Sequence, residues 1–320
     1  MAFLGYLSVN GNNYRLTRRK MVQALAGIAA CPIAAATADK HPFRAAIFFE
    51  SYATVAFQRA LRYAGDDGFV ASMPQLLHAR CNAEYDNIIW NTWFTANSEE
   101  NIVTTPAGNT VVLTVHGGGV FADPGRFERS LRADLRRDNR EGLTAQYAAR
   151  LTEKESQDLL RGRLPGGDEI PVYTFHDIKQ GIKGLPMQYG VSLDFETAKS
   201  GARNYVSFDI LRGDPNMIIR AGGAEYLHAY LDKAQQRHDT ESMGNWHSHQ
   251  WIDSTDPQAR ILNIGGNRGG IDSEGKDTQL GWGYDADDGI GASWPAGLAR
   301  YVAVAPRDDS ISLGTLDFVL

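Results

Sequence analysis

At 320 residues the chain is long enough to bury a sizeable core without disulfides or metals to staple it. Its 43% hydrophobic and 22% charged residues exclude wholesale disorder, and two cysteines, Cys31 and Cys81, exclude a disulfide framework or a four-thiolate zinc site. A net charge of −6 argues against coating nucleic acid through bulk charge, and no apolar run of about 18 residues reads as a membrane span.

The first hundred residues read as mainly helical. Thr17-Arg18-Arg19-Lys20 precedes an alanine-rich stretch from Met21 to Ala36, where Thr17 can cap a helix and Pro32 can stop it. The same residues have the outline of a twin-arginine export signal, with Ala36-Thr37-Ala38 as a small-x-small cleavage site. A helix in a cytoplasmic protein is the expectation, with export as the alternative. Phe43 to Tyr63 carries apolar residues at helical spacing. Ser72 before Pro74 opens a further helix, expected to pass Leu77 and Cys81 toward Trp90. Trp90, Trp93 and Phe94 read as a core or interface anchor.

The pattern changes near residue 101. Asn101 to Thr105 and Thr110 to Val115 read as strands joined by the turn Pro106-Ala107-Gly108-Asn109. Asp123-Pro124 starts a charged helix to about Asp138, Thr144 to Leu151 continues helically, and Thr152-x-x-Glu155 is a capping box. After a turn at Leu164–Asp168, strands are expected at Ile170–Phe175, Tyr189–Phe195, Tyr205–Leu211 and Asn216–Arg220. The segment 224–238 is a helix with Leu227, Tyr230, Leu231 and Ala234 on one face. Residues 264–298 then hold ten glycines together with Trp282 and Trp294. They lie between expected strands at Ala259–Ile264 and Arg300–Ala305, with Ile311–Leu320 closing the chain. The expected fold class is therefore α+β. A helical N-terminal part (1–100) precedes a mixed α/β region and an irregular, glycine-rich β C-terminal part (101–320), as two regions or one continuous domain.

Three short segments carry chemical suggestions. Val115-His116-Gly117-Gly118-Gly119-Val120 resembles the oxyanion-hole segment of the hormone-sensitive-lipase branch of α/β-hydrolases, but the chain has no Gly-x-Ser-x-Gly elbow to supply a nucleophile. A sharp glycine turn into the helix at Asp123-Pro124 is the simpler expectation. Leu193-Asp194-Phe195-Glu196-Thr197 resembles the first motif of the DnaQ-like exonucleases, which holds two divalent ions. Asn204 and Phe208-Asp209 echo the second motif, but Asp209 follows Asp194 too soon for that fold. Asn245-Trp246-His247-Ser248-His249 resembles the His-Ser-His core of JAMM-type metalloproteases. His247 and His249 are two apart and share a face on an extended chain, so they suit zinc or another divalent metal. Asp253 or Asp256 would complete the ligands, and Glu241 or Glu225 would act as the base toward a metal-bound water.

Arg129, Arg132, Arg136 and Arg140 fall three or four apart and form a stripe that suits phosphates. Glu128, Asp134, Asp138 and Glu141 interleave and can pair along the same helix, so no nucleic-acid partner is expected. Trp246, Trp251, Trp282 and Trp294 could stack on sugars, although tryptophans in a β-rich end also serve as core. No catalytic signature is complete. The expectation is a non-catalytic binding or self-assembling protein without a cofactor, partnered by protein or by copies of itself. The alternative is a metal-dependent hydrolase of phosphodiesters or peptides at His247 and His249.

Overall fold

The computed structural model describes residues 6–9, 12–15, 43–50, 52–135, 148–201, 204–238, 242–246, 255–265, 281–283 and 299–306. A hairpin of β1 (Tyr6–Val9) and β2 (Asn12–Arg15) precedes β3 (Phe43–Glu50) and α1 (Ala53–Ala64). Then come β4 (Phe69–Val70), α2 (Met73–Cys81), α3 (Ile88–Asn91), the long β5 (Phe94–Thr104), β6 (Thr110–His116) and α4 (Pro124–Leu135). The middle of the chain holds β7 (Ala149–Arg150), α5 (Glu153–Leu160), β8 (Val172–Thr174), α6 (Phe175–Gln180), β9 (Tyr189–Asp194) and α7 (Phe195–Lys199). It continues with β10 (Asn204–Ser207), α8 (Phe208–Gly213), α9 (Pro215–Ala221) and α10 (Ala224–His238). The last described strands are β11 (Ser242–Trp246), β12 (Gln258–Ile264), β13 (Gly281–Gly283) and β14 (Ala299–Pro306). Helices beside mixed sheets make this the α+β class expected from sequence.

The main sheet runs β10-β11-β13-β12-β5-β6-β9-β8, with β7 added to β12, and a smaller sheet runs β3-β14-β4. Pairing in the main sheet is antiparallel except between β11 and β13 and between β8 and β9. Ala71 joins the two sheets: its N–H donates to Val302 O at 2.8 Å, and its carbonyl accepts from Asn97 N–H at 2.9 Å. The two-residue period of strands divides the core into two clusters. Val302 and Val304 of β14, with Leu262 and Ile264 of β12, enter the cluster under α2, α9 and α10. Tyr301, Ala303, Ala259 and Ile261 enter the cluster under α1 and α4.

Several elements follow the sequence signals. Ser72 and Gln75 form a capping box at α2, and Thr152 and Glu155 form one at α5. Leu227, Tyr230, Leu231 and Ala234 of α10 are all fully buried, as are Trp90 and Phe94.

Others are corrected. Phe43–Glu50 is a strand, because β14 offers eight residues of antiparallel register to an apolar run that propensity leaves ambiguous. Only residues from Ala53 onward are helical there. The helix from Met73 ends at Cys81, with Asn82 as its C-cap, and Trp90 belongs to the separate α3. Ala149–Arg150 pairs with β12 instead of continuing a helix. In the strands expected at Ile170–Phe175 and Tyr205–Leu211, Phe175 and Phe208 instead begin helices. Asn216–Arg220 lies in α9: Asp214 accepts Met217 N–H at 2.9 Å, Pro215 fills the first helical position, and Gly222 closes the helix in the left-handed region. Asp214→Ala is expected to lower stability by about 1 kcal/mol in urea titrations, the usual loss for a missing N-cap. The segments expected at Met21–Ala36 and Ile311–Leu320 lie outside the described residues. No helix among the described residues is long and apolar enough to cross a membrane.

Candidate functional site

The candidate metal residues Glu241, His247, His249 and Asp253 lie outside the described residues. Asp256 is described and exposed, two residues before β12. Among the described residues no group of three His, Cys, Asp or Glu side chains is placed to hold a metal. Arg129 and Arg132 are exposed on α4, whereas Arg136 and Arg140 lie outside the described residues. Arg132 donates to Glu128 at 2.8 Å, and Glu128 also accepts from Thr54 at 2.9 Å and Tyr52 at 3.2 Å. This end of the stripe therefore braces α4 against α1. Asp194 caps α7 by accepting Thr197 N–H at 2.9 Å, and Asp209 sits in the first turn of α8.

The glycine turn after β6 has a defined role. Glu99 of β5 is buried, and its carboxylate accepts Val120 N–H at 2.9 Å and Phe121 N–H at 3.0 Å. Burial pushes this carboxyl up to about 7, against the pull of those two bonds. Gly119 adopts φ +116°, and a Cβ there would stand 2.2 Å from Glu99 Cδ. Only glycine lets the turn close over the acid. Gly119→Ala is expected to lower stability by at least about 2 kcal/mol, from left-handed strain together with the clash; a melt unchanged from the wild type would contradict this cradle.

Next to it, His116 is fully buried between Ser98 Oγ, 2.9 Å from Nδ1, and Ile219 O, 3.0 Å from Nε2. Nε2 therefore carries the proton given to Ile219, and Nδ1 accepts from Ser98. Burial pushes the imidazole down to about 4, so the ring is neutral.

The C-terminal edge of the main sheet is where the glycine- and tryptophan-rich stretch enters the fold. Asn245 of β11 stands opposite Trp282 of β13, and Trp246 opposite Gly283. Asn204 to Ser207 of β10 pair with Asn245 to Ser242 on the outer side. Trp251 and Trp294 lie outside the described residues.

Three anchors fix the described ends of this stretch. Arg80, fully buried, donates to Ile89 O at 2.8 Å, Tyr230 Oη at 3.1 Å and Thr92 O at 3.1 Å, and also reaches Gly265 O just past β12. Its guanidinium lies over Trp90, whose ring stacks on Tyr230 at 5.7 Å. Residues 281–283 are held by pairing to β11 and β12. At β14, the Arg300 guanidinium lies over the rings of Phe49, at 4.6 Å, and Trp93, at 4.8 Å, which meet edge to face.

Two more buried arginines tie helices to strands. Arg220 of α9 clasps Glu100 of β5 through Nε–Oε1 at 2.6 Å and Nη2–Oε2 at 3.0 Å. Arg126 of α4 pairs with Glu155 and donates to Arg150 O at 2.7 Å. Sequence reading passed over Glu99, Glu100, Arg80, Arg126 and Arg220, since each looks like an ordinary surface charge. The one usable signal was three glycines directly after an apolar strand.

No protein-family model and no curated protein matches this chain. One solved structure is similar, described as the accommodation of massive sequence variation in Nanoarchaeota by the C-type lectin fold. It has a TM-score of 0.56 and 23% identity, covering 84% of this chain and 99% of that one. The likeness places this chain's architecture with the C-type lectin fold.

Proposed function

We propose that this is a non-catalytic binding protein whose recognition residues are drawn from the β10-β11-β13 edge of the main sheet and from the segment 264–298. The observation that carries the reading is the fold likeness over 84% of the chain to a structure whose C-type lectin fold accommodates massive sequence variation. Such a fold needs a core that stays put while one region of sequence is free to differ. The buried arginine ties support that division here, because among the described residues they hold helices α2, α4 and α9 to strands and loops of the core. The stretch they frame is rich in glycine and carries Trp282 and Trp294. Tryptophan anchors supply large contact area at small entropic cost in interfaces. The partner is a protein, in keeping with the chain's modest acidic charge, and a second copy of this chain is the special case.

The test displays the purified protein on peptide, protein and glycan arrays beside Trp282→Ala. The reading predicts binding to a protein or peptide class, weakened at least about tenfold by the substitution as for an interface hot spot, with an unchanged melting temperature. Light scattering at rising concentration separates the self-association case, which Trp282→Ala should then reverse. Zinc-dependent turnover of a phosphodiester or peptide would overturn the reading in favour of the hydrolase.

A further inference from the structure

A second region of the molecule, independent of that surface, has the makings of a ligand site. A cleft of about 400 Å³ opens beside the glycine turn, between α1, α2 and the turn at residues 164–168. This is within the size range of small-molecule pockets. Three features define what it would take.

Its inner wall offers hydrogen-bond donors without acceptors. Gly118 and Gly119 are buried and line the cleft, and neither N–H finds an acceptor among the described residues. Their neighbours Val120 and Phe121 spend theirs on Glu99. Gln75 also lines the cleft and is 3% exposed. Its carbonyl accepts from Ser72 N–H at 2.8 Å and Ser72 Oγ at 3.0 Å, while its amide nitrogen donates only to Met187 Sδ at 3.4 Å. A thioether is a weak acceptor and uses one of two N–H bonds, so this buried amide has a donor to spare. Buried donors left unmade cost free energy that a ligand oxygen would recover.

The rim is anionic. Asp66, Asp123 and Asp168 line the cleft, and among the described residues no lysine, arginine or histidine lines it. Asp123 spends one oxygen on Arg126 N–H at 2.9 Å, and the exposed Asp66 and Asp168 face water. Leu61, Phe69 and Met187 give the remaining wall an apolar patch, beside the amides of Asn97 and Gln188, which donate to Val70 O at 3.4 Å and Gly117 O at 2.9 Å. Leu61 is one of the few large hydrophobic side chains exposed among the described residues.

We infer that this cleft binds a small organic cation carrying a neutral acceptor oxygen and an apolar group, the chemistry of an α-amino amide. The carbonyl oxygen takes the N–H groups of Gly118, Gly119 and Gln75, the ammonium faces the carboxylate rim, and the apolar group lies on Leu61 and Phe69. A neutral carbonyl suits the donors better than a carboxylate, because the Glu99 side chain lies directly beneath Gly119. The same chemistry occurs in a free amino amide and at the N-terminus of a peptide.

The test is an amide-resolved NMR titration of the full chain with leucinamide, Leu-Gly-Gly-amide and N-acetylleucinamide. Leucinamide is expected to move the Gly118 and Gly119 cross-peaks saturably in the millimolar range, and N-acetylleucinamide, lacking the charge, to bind at least about tenfold more weakly. Tighter binding of the tripeptide would assign the site to peptide N-termini, and equal or weaker binding to free amines. Asp66→Asn/Asp168→Asn replaces two exposed side chains and should leave the melt unchanged while weakening leucinamide about tenfold. Absence of a saturable shift at those glycines, or equal binding of the acetylated probe, would overturn the inference.

Discussion

Arg220→Ala is expected to lower stability by about 3–5 kcal/mol, because it leaves the Glu100 carboxylate buried and unpaired. Arg220 and Glu100 are 0% and 2% exposed at the side chain, so water cannot take over the lost bonds. The pair joins α9 to the central strand β5, across 120 residues of sequence. Glu100→Leu/Arg220→Met removes both charges and should recover most of the loss, since well-packed apolar groups often match a buried ion pair. Urea unfolding of the two single variants and the double variant measures the coupling directly. A single-variant loss under about 1 kcal/mol would mean that the pair is solvated and does not hold the helix to the sheet.

The second large effect is masked in the wild type, where two buried groups oppose each other across mildly acidic pH, and appears when either is removed. Glu99 has its carboxyl raised from 4.5 to about 7, so between those values the folded chain holds a proton that the unfolded chain has released. Stability from this group is complete below 4.5 and is lost as pH rises through about 7, roughly 3 kcal/mol at about 1.4 kcal/mol per unit. His116 has its imidazole lowered from 6.5 to about 4, so the unfolded chain gains a proton that the folded chain refuses. Its contribution, of similar size, is complete above 6.5 and is lost as pH falls through about 4. Across about pH 4.5 to 6.5 the two slopes cancel, so these groups leave the wild-type unfolding free energy nearly level there. Glu99→Gln should leave the histidine unopposed, so that stability rises by roughly 3 kcal/mol from about pH 4 to 6.5. His116→Phe should leave the glutamate unopposed, so that stability falls by a similar amount from 4.5 to about 7, whatever either substitution does to the absolute value. Parallel slopes in all three proteins would show that neither group is buried in the way described.

The sequence made the fold legible where local chemistry decides structure. Ser72 with Gln75, Thr152 with Glu155, and the apolar face of α10 are signals complete within a few residues. It failed where partners far along the chain decide. Phe43–Glu50 reads equally as helix or strand until β14, some 250 residues later, supplies a register. Asn216–Arg220 was misread because its apolar run outweighed the Asp214-Pro215 start and the Gly222 stop that frame it. The candidate site was legible in part. The three glycines at 117–119 could be identified as a turn, but the acid they enclose lies on another strand, and nothing in the spacing of Glu99 marks it as buried. The arginines that hold the scaffold were invisible for the same reason: a buried and an exposed arginine look alike until their partners are known. For the C-terminal stretch, composition was the useful signal, since glycine and tryptophan density set it apart before any strand was placed.

The most direct test of the binding-scaffold account is substitution within residues 266–280 and 284–298, read by thermal melting and array binding together. Replacing blocks of non-glycine residues there with serine is predicted to leave the melting temperature within a few degrees of wild type, a small shift for a chain this size. The same variants should abolish recognition of whichever array partner the wild type binds. Global unfolding of those variants, or unchanged binding by all of them, would contradict the division between a fixed core and a recognising segment.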